Sequence, residues 1–188
     1  MRLALILVAG LAACASAPQA DTGPAIAARW NHRAEASAWN DAMMRALMTH
    51  GTAMVHSVPA DVTTFCPRYE SATARERAAF YVAFFSGLAR FESTWNPRAS
   101  GGGGAYRGLL QIAPATARHH GCDLPEAGLY DGAANLACAV RIANAAVTRD
   151  GVLARGAGGV AADWPPMRNP DHRREVAAFT AALPQCRD

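Results

Sequence analysis

Apolar residues recur along the chain at three- and four-residue steps, and no sustained two-residue alternation appears, so the pattern predicts helices and no strand longer than a few residues. A helix is expected from Ala25 to about His50, with Trp30, Ala34, Met44, Leu47 and Met48 on its inner face. Val58 to Tyr69 carries two prolines and reads as loop. The clearest helix runs from Ser71 to Phe91. Ser71 is placed to cap it, Arg75, Glu76 and Arg77 occupy early turns, and Phe80, Phe84, Leu88 and Phe91 follow at helical spacing. Pro97 and the glycines Gly101 to Gly104 bar its continuation. Shorter helices are expected from Pro114 to Gly121 and from Asp171 to Leu183, the latter burying Val176, Phe179 and Leu183. Another runs from Gly132 to Arg149, with Leu136, Val140, Ala143 and Val147 inward. Gly151 to Pro166 reads as loop. The predicted class is all-α, one domain.

The N-terminus follows different rules. Arg2 precedes Leu3 to Ala13, "LALILVAGLAA", an apolar run of signal-peptide length and too short to span a bilayer. It ends in "LAAC", which resembles a bacterial lipobox, with Cys14 as the lipidated new N-terminus. The alternative is an ordinary cleavage site after a later Ala, with Cys14 lost. The expected organisation is a signal peptide over 1–13, a lipidated tether over 14–24, and a folded domain over 25–188. Ala15 and Ser16 are not acidic, a pattern that in Gram-negative lipoproteins implies sorting to the outer membrane. The expected location is therefore the periplasmic face of that membrane, with the lipid anchor as the chain's membrane contact.

Cys66, Cys122, Cys138 and Cys186 remain, an even set in an exported chain, which reads as two disulfides with three possible pairings. Cys122 with Cys138 and Cys66 with Cys186 is the favoured pairing, one closing a short loop and the other a long one. The cysteines show no C-x-x-C spacing, which argues against zinc. His119, His120 and Cys122 lie close in sequence, but two histidines before Gly121 suit a helix end, and no metal or cofactor is expected. All 18 basic residues are Arg; they are scattered, and the net charge is +3, so nucleic-acid binding is not indicated.

The candidate chemistry begins at Glu92. No Asp or Glu follows it until Asp123. Leu88, Phe85 and Phe84 precede it by four, seven and eight positions and share its helix face. A carboxyl group leaving an apolar face at a helix C-terminus is held towards its neutral form by desolvation and by the helix dipole. A protonated carboxylic acid near neutral pH is what general-acid catalysis requires.

The residues after Glu92 carry a resemblance. Glu92-Ser93, Trp95, Asn96-Pro97, Gly104-Ala105, Gly108-Leu109-Leu110-Gln111-Ile112 and Pro114-Ala115-Thr116-Ala117 resemble the motifs of the soluble-transglycosylase (SLT) type of lytic transglycosylases. Tyr130-Asp131 and Asn135-Leu136 resemble a later helix start of that family, with Gly132 in place of its proline, and Asp131 and Asn135 are expected to cap or brace that helix. The resemblance implies a lysozyme-like fold of several helices around a glycan-binding cleft, and peptidoglycan glycan strands as partner. It also implies Glu92 as catalytic residue and Ser93, Gln111 and Tyr106 as substrate contacts. Tyr106-Arg107 makes the spacing one residue longer than is common in the family. The family's Ala-x-Tyr-Asn-x-Gly segment is replaced by "GGVAADWPPMR", where Trp164 is a substitute substrate contact or core.

Most glycosidases use two carboxylates. The mechanism that the resemblance implies needs one: Glu92 protonates the glycosidic oxygen of a MurNAc–GlcNAc bond, then accepts the proton of the MurNAc C6 hydroxyl as a 1,6-anhydro ring closes. Two other readings stay open, a hydrolytic muramidase or chitinase-like enzyme of similar fold, and a catalytically inactive wall-binding lipoprotein. The sequence names no protein partner.

Overall fold

The computed structural model describes residues 26–187. The signal segment, Cys14 and the tether lie outside the described residues. Helices α1 (Ala36–Thr49), α2 (Thr52–His56), α3 (Ala74–Ser93), α4 (Pro114–His119), α5 (Gly132–Asp150), α6 (Val160–Asp163) and α7 (Pro170–Ala181) are joined by turns and short 3₁₀ segments. A minimal hairpin, β1 (Ser100–Gly101) and β2 (Tyr106–Arg107), is the sheet among the described residues.

Helix α3 is the axis of the fold. Every residue from Phe80 to Ala89 is buried, so the helix is enclosed on all sides, as its nearly continuous apolar run requires. Helix α1 packs on α5 and α3, and α7 packs on α3, where the missing side chain of Gly87 admits Val176. Edge-to-face rings of Tyr69, Phe80, Tyr81, Phe84 and Phe85 fill the core along α3. The disulfides are Cys66–Cys186 and Cys122–Cys138. The first ties the loop before α3 to the C-terminal segment, and the second ties the segment after α4 to α5.

Three local expectations are corrected. Residues 26–35 form turns, and α1 begins only at Ala36. Trp30 is buried from this turn region by donating Nε1–H to Asn40 Oδ1 at 2.7 Å, and the inner face is Ala36, Trp39, Ala42, Met43, Ala46 and Leu47. Ala34 and Met48 are exposed instead. The N-cap of α3 is Thr73 rather than Ser71, because Thr73 and Glu76 complete a reciprocal capping box. Ser71 closes the preceding 3₁₀ turn by donating to the Arg68 carbonyl. The stretch from Gly151 to Pro166, expected as loop, holds a short helix of four residues, α6. Among the described residues no helix is long and apolar enough to cross a membrane.

Candidate active site

Glu92 occupies the last turn of α3. Its Oε1 is buried and has no hydrogen-bond partner. Burial alone raises the carboxyl pKa from its ordinary value to about 7. No neighbouring acid contributes to that rise, so Glu92 stands apart from other carboxylates electrostatically as well as in sequence.

The chain leaves α3 through two consecutive left-handed residues, Thr94 (φ 49°) and Trp95 (φ 58°). Trp95 is fixed by donating Nε1–H to the Ser86 carbonyl at 2.8 Å, and its ring meets His32 edge to face. The sharp reversal sends the chain into the hairpin and back to the Gly108–Gln111 turn.

That turn is tied down from three directions. Ser93 Oγ–H donates to the Leu109 carbonyl at 2.8 Å, joining it to the end of α3. Asn135, fully buried on α5, accepts the Leu110 N–H through Oδ1 at 3.0 Å and donates Nδ2–H to the carbonyls of Arg107 (3.0 Å) and Leu129 (2.9 Å). Trp164 donates Nε1–H to the Leu110 carbonyl at 2.8 Å. Gly108 has no substitute here: its φ is 77°, and a Cβ would stand 2.1 Å from the Leu129 carbonyl oxygen.

The candidate residues divide accordingly. Ser93 directs its hydroxyl proton at backbone, holding the turn beside Glu92. Gln111, itself left-handed (φ 45°), donates Nε2–H to the carbonyls of Gly108 (2.9 Å) and Ala99 (3.2 Å), while its Oε1 lies against Gly101. Tyr106 is 49% exposed, with its ring lying over Gly102. Trp164 is 3% exposed and packs edge to face on Phe85, so it offers no ring face to a glycan; the expectation of a substrate contact is replaced by a buried brace. Asp131 caps α5 by accepting the Ala134 N–H. Asn135 instead reaches across to the turn, a role that its position on a helix did not reveal. His119 and His120 stand edge to face at the end of α4. A cavity of about 480 Å³ opens between Ile26, Arg68, Thr73 and Pro184 at the opposite end of α3. From Glu76 on its wall to Glu92 the helix rises by roughly 24 Å, so this cavity is separate from the acid.

Residues 71–152 match the family described as the transglycosylase SLT domain, and the match encloses Glu92, the Gly108–Gln111 turn and Asn135. Over these residues the chain is similar to an SLT domain. Its similar solved structures include a glutamate-to-glutamine variant of DslA, at 29% identity over 86% of this chain and 98% of that one, with a TM-score of 0.79. Wild-type DslA in a second form matches at 27% identity over 86% and 98% of the two chains, with a TM-score of 0.77. A further variant, changed at a different glutamate, matches at 28% identity over 85% and 97%, with a TM-score of 0.77. No curated protein sequence matches significantly. The all-α fold is thus the lysozyme-like fold of SLT domains, and Glu92 lies in the last turn of α3, the axis of the fold.

Proposed function

We propose that this protein is an SLT-type lytic transglycosylase that cleaves the β-1,4 bond between MurNAc and GlcNAc in peptidoglycan without water, leaving 1,6-anhydroMurNAc ends. The observation that carries the reading is the isolated, half-buried carboxyl of Glu92, whose Oε1 is buried without a hydrogen-bond partner. With a pKa of about 7, it is protonated in a large fraction of molecules at neutral pH. Its proton passes to the glycosidic oxygen as the C1–O4 bond breaks. The carboxylate left behind accepts the proton of the C6 hydroxyl as that oxygen bonds to C1. The nucleophile is part of the substrate, so its proximity replaces a positioned water. The Ser93 and Asn135 bonds hold the Gly108–Gln111 turn rigid beside the acid, and Tyr106 supplies an exposed ring for a sugar face.

The protein is proposed to act on the wall from the periplasmic face of the outer membrane, tethered through lipidated Cys14. Digestion of purified sacculi tests the assignment: wild-type protein is expected to release muropeptides and Glu92→Gln to release none above background. Equal release by both would overturn it.

A further inference from the structure

We propose that Arg29 and His32, on the turn segment ahead of α1, are positioning residues for the acid: together they clamp the last turn of α3 so that Glu92 keeps its place. The inference rests on Glu92 being the acid of the proposed function. Both residues lie outside the stretch 71–152 that matches the family, so the clamp comes from a part of the chain that the family motifs do not include.

The last turn of a helix is the least secured, because its final carbonyls find no partner within the helix. In α3 that turn carries Glu92, and no hydrogen bond holds the carboxyl through Oε1. The position of the acid therefore follows the backbone beneath it. By helical spacing Ser86, Arg90 and Ser93 share one face of α3, while Glu92 leaves another face with Phe85 and Leu88. The clamp closes on the first face and leaves the face of the acid open.

Before the acid, Arg29 N–H donates to Ser86 Oγ at 2.8 Å, which fixes the turn segment to the buried part of α3. The Arg29 guanidinium donates to Glu175 Oε1 on α7 at 2.5 Å, and the same oxygen pairs with Arg90. Arg90 is thereby tied to α7 and to the turn segment at once. After the acid, Thr94 N–H and Trp95 N–H fold back on the Arg90 and Ala89 carbonyls, and the indole Nε1–H reaches the Ser86 carbonyl. The His32 ring backs this indole edge to face, with centroids 4.9 Å apart, and its Nδ1 is bonded to the Arg29 carbonyl at 3.1 Å. Arg29 and His32 thus grip the chain on both sides of Glu92 from one short turn.

The charged and titratable groups on the elements around this helix end include Arg90 on α3, Arg29 and His32 on the turn segment, and His172 and Glu175 on α7. The hairpin adds Tyr106 and Arg107, the latter paired with Glu126. No charged group contributes to the raised pKa of Glu92, which burial alone sets. A loosened clamp lets the last turn fray and admits water to the carboxyl, so its pKa falls. Loss of a nearby cation would push the pKa the other way, which separates the entry of water from a change in local charge.

The titration of Glu92 tests the clamp. In protein labelled with carbon-13 at its glutamate carboxyls, the Glu92 signal is assigned by its loss in Glu92→Gln and followed against pH. Wild type is expected to titrate at about 7. His32→Ala and Arg29→Ala are each expected to bring the midpoint to about 6 or below. His32 is exposed, so its alanine variant is expected to stay folded. His32→Phe keeps a ring against Trp95 and Arg29→Lys keeps a cation for Glu175; both are expected to titrate like wild type. Sacculus digestion by the alanine variants is expected to fall about fivefold at pH 7 and little at pH 5, as the protonated fraction at pH 7 drops from about one half to about one tenth. Alanine variants that titrate like wild type would overturn the proposal, as would a midpoint raised in Arg29→Ala. Phe and Lys variants that shift as far as the alanine ones, or equal losses of activity at the two pH values, would also overturn it. Sacculus release that survives Glu92→Gln would instead sink the proposed function, with the titration still reading the clamp.

Discussion

Asn135 on α5 accepts the Leu110 N–H at 3.0 Å, and through that bond a buried side chain holds the turn that Ser93 joins to the helix of Glu92. Three hydrogen bonds converge on this one amide, two of them buried and the third, to the Arg107 carbonyl, partly buried.

Truncating it leaves the Leu110 N–H and the Leu129 carbonyl unpaired, at roughly 1–3 kcal/mol for each buried group that finds no water, while the Arg107 carbonyl keeps the bond donated by the Ile112 N–H. Asn135→Ala is expected to lower stability by about 3 kcal/mol and the melting temperature by about 6–12 °C. Calorimetry checks the stability. Activity measured well below the new melting temperature is expected to fall as well, since the turn loses its register. An Asn135→Ala protein with wild-type turnover would show that the turn does not need this anchor.

Glu92 links activity and stability through one ionisation. The acid must be protonated, so sacculus cleavage is expected to decline as pH rises through about 7. The sign for stability follows from the raised folded pKa. Below the unfolded value near 4.5 both states hold the proton and no penalty exists. Between 4.5 and 7 the unfolded state ionises first, so stability falls with pH, and above 7 the deficit is constant. The full span is about 3 kcal/mol. Glu92→Gln is therefore expected to stabilise the protein at pH 8 and to change it little at pH 4. Urea titrations at the two pH values measure this; a Gln variant no more stable at pH 8 would mean that the carboxyl is not desolvated.

The disulfides differ in the chain they enclose, with sequence separations of 120 and 16 residues. Chain-entropy arguments give about 5 kcal/mol for the long loop and about 3 kcal/mol for the short one. A Cys66→Ser/Cys186→Ser protein is expected to unfold at lower urea than Cys122→Ser/Cys138→Ser. The reverse order would show that native packing around α4 and α5, rather than loop size, governs the loss.

Tyr106 and Trp164 separate binding from bracing. Tyr106→Ala is expected to weaken retention on sacculi with little change in melting temperature, because the ring is half exposed. Trp164→Phe removes the hydrogen bond to Leu110 and is expected to cost about 1 kcal/mol. Pull-down on sacculi and thermal melting, run on both variants, distinguish the two roles.

The helices and the acid were legible in sequence because their signals are local. Leu88, Phe85 and Phe84 precede Glu92 at helical spacing and foretell its apolar face. The capping box Thr73–Glu76 was also written locally, though Ser71 is a plausible cap until Glu76 is seen to reach back. Asn135 was harder: its partners Arg107, Leu110 and Leu129 lie on other elements, and only the folded chain brings them together. Trp164 was ambiguous for the same reason, since an indole suits a sugar face and a core equally well until Phe85 and Leu110 are seen to enclose it. The α1 boundary failed because Trp30 is buried from a turn, which hydrophobic periodicity cannot distinguish from a helical position.

The most direct test of the central claim is the chemistry of the ends that wild-type protein leaves on purified glycan strands, determined by mass spectrometry in heavy-oxygen water. One-acid catalysis at Glu92 predicts unlabelled 1,6-anhydroMurNAc ends. Reducing ends carrying the solvent's heavy oxygen would contradict it.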